Sequence, residues 1–487
     1  MTQQQDWDES QRGSRQVTTE IEGHKHPRSN GLAHTLKPRH LSMIALGGVI
    51  GAGLLVASST AILSAGPGVI LTYLVAGVLV VLVMRMLGEM ASVSPETGSF
   101  SAYAGRFIGR WAGTSVGWLY WWYWGVVVGI EATAAANIIS TWLPDFPQWV
   151  AALVVTLVFL GINLASVRSF GELEFWLSSI KIAAIVVFLM VGLMLIFHII
   201  PNDSATLGNI RGEGHGGFLP FGISGLLAAL LPVVFSMFGA EVATIAAGES
   251  EHPQQAVRKA VNSVVTRILL FYIGSMIVLL IVVPWDSFTS GTSPFVTALN
   301  VAGIGWAGTV MDAIVLTAIL STLNASLYTS SRMAFSLSAR KEGPAILAKV
   351  SKRGAPAAAI WFSVLLGLIC VVLNYTAPDY VFTFLVNSTG ALAILFWIVI
   401  AVSQLRSRKI LLSHGVDVHT VSGVIRMWGF PVVNWIVICA LSALLVYMFF
   451  AGEQRLLEIL TSAVVTVLAV IAGFIVQRRS KISVSAN

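Results

Sequence analysis

The chain has 487 residues, of which 56% are apolar and only 11% charged, with a formal net charge of +6. Soluble domains carry roughly 45–50% apolar and about 25% charged residues, so an ordinary soluble protein of this length is excluded. The basic excess is spread among short segments and gathers into no patch or tail, which excludes the footprint of a nucleic-acid binder. Two cysteines, Cys370 and Cys439, both lie inside apolar stretches and read as buried thiols, and no Cys/His cluster suggests a metal or other cofactor.

Residues 1–40 are polar and contain no signal-peptide core, so they are expected to form a disordered cytoplasmic tail. From residue 41 apolar blocks recur, each near the ~20 residues a helix needs to cross about 30 Å of hydrocarbon. Twelve such spans are expected, at 42–65, 68–88, 112–141, 148–166, 177–199, 223–247, 263–284, 303–335, 357–375, 381–404, 430–450 and 456–477. With both termini inside, 27 of the 29 Lys and Arg residues fall on the cytoplasmic side, counting Lys181 with its adjoining loop. That asymmetry predicts a multi-pass plasma-membrane protein, in a bacterium the inner membrane, in contact with membrane lipid. Residues 41–404 are expected to form a ten-helix core, 405–478 a loop and two peripheral helices, and 479–487 a short cytoplasmic tail. No loop is long enough to hold a catalytic domain, and no metal-ligand pair, nucleophile motif or phosphate loop marks an enzyme.

Two spans break the helix rule. Span 1 carries four glycines in the seven residues Gly47–Gly53, and span 6 carries Pro232, Gly239 and Glu241 within ten residues. Interior glycine costs about 1 kcal/mol of helix stability and proline about 3. Unwound backbone at membrane depth persists where it is buried in protein or lines a cavity. Paired interruptions in two halves of a chain point to a transport site, although close packing through small residues accounts for either one alone. The five-span offset is the one expected if spans 1–5 and 6–10 are inverted repeats.

Ionisable residues at membrane depth need a reason. Glu131 in span 3 and Asp312 in span 8 fit a structural hydrogen bond as well as a functional role. Lys181 in span 5 and Glu241 just past the span 6 break read as functional. Glu249, Glu251, Arg258 and Arg267 are expected at the solvated inner surface. In span 8 Asn324, Tyr328 and Arg332 share one face, with Ser326 nearby, and are candidates to line an aqueous path. Span 10 adds the polar patch Asn387-Ser388-Thr389-Gly390, and the tryptophans at 118, 121, 122 and 124 read as lipid-facing or packing surface.

Several ordered motifs carry a resemblance. They are Leu36-Lys37-Pro38-Arg39-His40, Gly48-Val49-Ile50-Gly51-Ala52-Gly53-Leu54, Met84 through Met90 with Thr97-Gly98-Ser99-Phe100, and Gly117 through Trp122. Further along stand Gly171-Glu172-Leu173-Glu174-Phe175-Trp176, Phe235 through Glu241, Tyr328 through Met333, and Ala401 through Arg406. Over nearly all of residues 35–478 the chain resembles the amino acid permease family of the amino acid–polyamine–organocation superfamily. It looks most like the gamma-aminobutyrate permeases, in Trp124 to Glu131, Thr244 to Ser250 and Val386 to Ala391. One departure is Thr322, where relatives often carry cysteine.

The resemblance implies an all-α, LeuT-like fold of two inverted five-helix repeats plus two peripheral helices. It also implies proton-coupled uptake of a small amino acid. The substrate carboxylate would meet the backbone of Ile50, Gly51, Ala52 and Gly53. The ammonium would meet the backbone of Phe235, Ser236, Phe238 and Gly239. Lys181 would occupy the place of a sodium ion in sodium-coupled relatives and exchange a proton, with Glu241 and Glu131 as further candidates. A permease for aromatic or other neutral or basic α-amino acids is the alternative. A transporter-like nutrient receptor would be expected to carry a longer signalling tail.

Overall fold

A computed structural model of the chain describes residues 50–93, 99–165, 167–242, 253–351 and 354–485, apart from 414, 416, 419 and 421–423. The expected N-terminal tail, Gly47, Gly48, the segment Thr244–Ser250, which includes Glu249, and Glu251 lie outside the described residues. What is described is helical throughout, with no strand among those residues.

Each expected span has its helix. The first is a one-turn piece, Ala52–Leu55, followed by α1, Ala57–Ala65; α2 is Val69–Val93, α3 Arg110–Trp142, α4 Gln148–Ala165, and α5 Val167–Ile196. The second half begins with α6, Gly222–Met237. Then α7 runs from Pro253–Arg267 through a wide π turn, Ile268–Gly274, into Ser275–Val282. It continues with α8, Gly305–Ala339, α9, Ala357–Thr376, α10, Pro378–Ser413, α11, Val432–Phe450, and α12, Glu453–Ser485. Ten stretches among the described residues are long and apolar enough to cross a membrane; the first contains both α1 and α2, and α4 is an eleventh, shorter apolar helix. Gly66-Pro67-Gly68 makes the turn from α1 to α2, with Gly66 at φ +62°.

The packing pairs corresponding helices of the two halves. Helix α1 packs on α6, α2 on α7, α3 on α8 and α4 on α9, each pair five helices apart. Most of α3, α6 and α10 is buried, whereas α5, α11 and α12 turn most of their residues outward. The outward residues are large and apolar, among them Trp176, Phe450 and Phe474, as a lipid-facing surface requires. The bundle thus has its polar residues inside: Glu89, Glu131, Glu174, Lys181, Glu241 and Glu458 are all buried. Arg267, expected at the solvated surface, is only 7% exposed; α7 continues past it without a break and buries it between helices.

Helix α12 is outer but firmly docked. Glu458 accepts from Asn387 Nδ2 at 2.8 Å, Ser462 Oγ donates to Ser388 O at 2.8 Å, and Phe474 stacks on Trp111 at 4.8 Å. The polar patch of α10 is therefore where α12 attaches. At the α2–α10 seam, Glu89 accepts two bonds from Arg408, at 2.7 and 2.6 Å, one from Gln404 Nε2 at 2.6 Å and one from Met427 N–H at 2.7 Å.

Candidate functional site

The two breaks meet at the centre of the bundle. Backbone is extended through Gly51, the residue that precedes the Ala52–Leu55 turn. A Cβ on Gly53 would stand 2.8 Å from Ser236 Cα, so only glycine lets the two chains approach this closely. Helix α6 ends at Met237, Phe238 is extended, and Gly239 takes φ +108°, a region that L side chains rarely adopt. Every residue from Ile50 to Gly53 and from Phe235 to Gly239 is buried.

A helix start exposes unpaired N–H groups and partial positive charge. At the first break that donor is already claimed. Ala52 N–H donates to both carboxylate oxygens of Glu131, at 3.1 Å each, from a residue 79 positions away on α3. The freed carbonyl of Ile50 accepts from Thr322 Oγ1 at 3.1 Å, and the same hydroxyl accepts from Lys181 Nζ at 3.1 Å. A Cβ on Gly51 would fall 2.6 Å from both Glu131 Oε1 and Thr322 Oγ1. Three helices, α3, α5 and α8, thus converge on one unwound residue pair.

The second break is tied more locally. Gly239 N–H donates to Glu241 Oε2 at 2.9 Å, two residues on, while Glu241 Oε1 is buried with no hydrogen-bond partner among the described residues. Tyr272, carried in the π turn of α7, donates its hydroxyl to Ser236 O at 2.7 Å. A small cavity lined by Ile50, Met237, Ala240, Arg267, Phe271 and Tyr272 borders both breaks. On the other side stands an aromatic wall: Tyr123 lies 4.4 Å from Phe238, Phe238 5.4 Å from Phe396, and Tyr120 5.9 Å from Phe396, centroid to centroid.

Among the residues singled out by sequence, Glu131, Lys181, Glu241 and the two backbone stretches come together here. Asn324 does not join them; it accepts from Asn163 Nδ2 at 2.8 Å and ties α8 to α4. Ser326 Oγ donates to Thr322 O at 2.6 Å within its own helix, and Arg332 sits over the Tyr328 ring at 4.8 Å. Asp312 is ten residues before Thr322 on α8, about 15 Å along the axis. Trp118 and Trp121 pack toward α9, donating to Glu342 O and Ser363 Oγ, while Trp124 joins the aromatic wall beside Tyr120.

Sequence reading missed Thr322 as a contact, the aromatic wall, Tyr272 and Glu174. Glu174 stood in a recognised motif, but span 5 was expected to begin at 177; α5 starts ten residues earlier and buries it. Its spacing of seven from Lys181, two helical turns on one face, was the available signal.

Comparison with known proteins places this geometry. The gamma-aminobutyric acid permease of Bacillus subtilis (strain 168) is 46% identical over 457 residues, 94% of this chain and 96% of that one. The aromatic amino acid transport protein AroP of Corynebacterium glutamicum is 40% identical, covering 92% and 95%. A crystal structure of a manganese transporter from Eremococcus coleocola superposes with a TM-score of 0.56 at 15% identity, over 93% of this chain and 99% of that one, a likeness of fold. The amino acid permease family model matches residues 40–482. With twelve span helices among the described residues, a LeuT-like fold of two inverted repeats, and that match over most of its length, this multi-pass membrane protein belongs to the amino acid permease family.

Proposed function

We propose that the chain imports gamma-aminobutyrate, or a small amino acid of similar length, in symport with protons. Residues 41–404 form the transport core and 405–478 the outer helices. In this reading the protein lies in the plasma membrane with both termini cytoplasmic, which the one-sided distribution of Lys and Arg supports. The observation that carries the coupling is the carboxylate of Glu131 on Ala52 N–H. A substrate carboxylate needs that same helix start, and two carboxylates repel when they share one. Protonating Glu131 removes its charge and frees the donor for substrate. Substrate and proton then favour each other's binding reciprocally.

The other end of the substrate meets the α6 break. Oε1 of Glu241, which has no hydrogen-bond partner among the described residues, and the remaining lone pairs of the Phe235, Ser236 and Phe238 carbonyls are suited to an ammonium. Tyr123, Phe238 and Phe396 add ring faces, which attract cations. Three methylenes separate the charges of gamma-aminobutyrate, so in this reading each break holds one charged end. The similarity to gamma-aminobutyrate permeases supports this choice.

The same aromatic wall favours one other reading, in which it stacks against an aromatic side chain, as the likeness to AroP suggests. Competition decides between them. In proteoliposomes with an imposed pH gradient, labelled gamma-aminobutyrate should accumulate. Unlabelled ω-amino acids of similar length should compete, each added or missing methylene changing affinity by about 1–3 kcal/mol. Strong competition by phenylalanine with none from the ω series would overturn the gamma-aminobutyrate reading in favour of the aromatic one.

A further inference from the structure

Five carboxylates are buried among the described residues, and they differ in what neutralises them. Glu89 and Glu458 each meet an arginine, Arg408 and Arg455, with a side-chain amide in addition. Such carboxylates are tied into structural ion pairs. Glu131 and Glu241 hold the two breaks. Glu174 is the fifth: it is fully buried, and the donors that reach it are two neutral hydroxyls, Ser178 at 3.1 Å and Ser321 at 2.8 Å.

We propose that Glu174 is a second proton station of the transport cycle, accepting the proton that Lys181 gives up and releasing it at the end of α5 that joins α4. The inference rests on the proton-coupled reading above. Glu174 precedes Lys181 by two helical turns, about 10 Å along the axis. Helical side chains lean toward the N-terminus, so the long Lys181 side chain is directed toward Glu174. Consecutive residues of α8 touch both: Ser321 donates to Glu174 Oε2, and Thr322 accepts from Lys181 Nζ. Two carboxylates face Lys181, Glu174 from its own helix and Glu131 from α3.

In the transfer an N–H bond of the Lys181 ammonium breaks and an O–H bond forms on Glu174. Ammonium and carboxylate become amine and carboxylic acid, and the net charge inside the membrane does not change. The acid then loses its proton to water at the α4–α5 end, which is cytoplasmic in the proposed topology. The neutral amine of Lys181 accepts the next proton, from Glu131 at the break. The order Glu131, Lys181, Glu174 gives the proton a path that passes the substrate site and leaves on the inner side.

The test separates coupling from folding. Proteoliposomes carrying wild type, Glu174→Gln, Glu174→Asp and Ser321→Ala are compared in two assays: counterflow of gamma-aminobutyrate at equal pH, and accumulation driven by a pH gradient. Glu174→Gln should keep counterflow within about threefold while accumulation falls more than about tenfold, because only proton delivery is lost. Glu174→Asp should restore accumulation, and Ser321→Ala, which leaves the carboxylate in place, should lower the ratio of accumulation to counterflow. Wild-type accumulation in Glu174→Gln, or equal loss of both activities in a variant that still shows ligand-induced thermal stabilisation, overturns the proposal. If Glu174→Gln does not reach the membrane, an unchanged ratio in Ser321→Ala overturns it. Failure of wild type itself to respond to the gradient would instead sink the proton-coupled reading, so the two failures are told apart.

Discussion

At the α1 break the freed backbone is held from a distance, by Glu131 on α3 and by Thr322 on α8, whose hydroxyl also receives Lys181 from α5. At the α6 break it is held close by, with Gly239 N–H bonded to Glu241 two residues on and Ser236 O bonded to Tyr272 of the next helix. The difference is one of wiring. Anything that changes the charge of Glu131 or Lys181 is felt by three helices at once, and in the proposed mechanism this break couples protonation to movement. The second keeps its shape by short-range bonds, and in the same proposal its carboxylate oxygen recognises the ligand.

The largest expected effect comes from breaking the first arrangement. Glu131→Gln should remove pH-gradient-driven accumulation, a loss of more than about a hundredfold, as expected when a proton carrier is deleted. Yet substrate-induced thermal stabilisation should survive and lose its pH dependence, because the amide no longer competes as an anion. In wild type that stabilisation should strengthen as pH falls, since protonating Glu131 frees Ala52 N–H. Thermal unfolding of the purified protein with and without gamma-aminobutyrate across a pH series measures both; unabated accumulation by the variant would remove Glu131 from the coupling.

Glu241→Gln should act in the opposite sense, weakening binding by about 1.5–3 kcal/mol, the worth of a hydrogen bond to a charged group. That corresponds to roughly tenfold to a hundredfold in Kd, readable by calorimetry. The residual transport should still respond to the pH gradient. If it does not, recognition and coupling are not divided between the two breaks.

The two glycines sharpen the contrast further. Gly51→Ala puts a methyl against Glu131 and Thr322 and should abolish ligand-induced stabilisation, while overpacking costs about 1–3 kcal/mol of folding stability. Gly239→Ala meets a conformational penalty, φ +108°, of about 1–3 kcal/mol, and should lower the melting temperature of the ligand-free protein whatever it does to binding. Paired melting curves with saturating ligand, where stabilisation follows RT ln(1 + [L]/Kd), separate a lost site from a strained one. The smallest effect is expected for Tyr272→Phe, which removes one hydrogen bond to Ser236 O and should cost about 1 kcal/mol in a melting experiment without changing the pH response of uptake.

Much of this was legible in the sequence because it depends on local or one-dimensional quantities. The length of each apolar block sets how many times the chain crosses the membrane, and helix-breaking residues act where they stand. So the twelve spans, the interruptions within Gly47–Gly53 and Pro232–Glu241, and Glu131, Lys181 and Glu241, with Asp312, as charges at depth could be read directly. Span ends were less legible: an apolar block marks the hydrocarbon crossing and not the polar turns by which a helix extends beyond it, so the start of α5 at Val167, ten residues before the expected one, hid Glu174.

What tertiary structure alone decided is which of these residues meet. A polar residue inside a helix bundle must find a partner, but periodicity gives its face and not the neighbour opposite. Asn324 and Asn387, equally buried in sequence pattern, turn out to join α8 to α4 and α10 to α12. Thr322, one position before Leu323 on an apolar helix, is the residue that links Lys181 to the unwound backbone of Ile50. The physical reason is the same in each case: hydrogen bonds in a membrane interior are short-ranged and directional, so their pairing follows from how the helices pack and not from the order in which they are written.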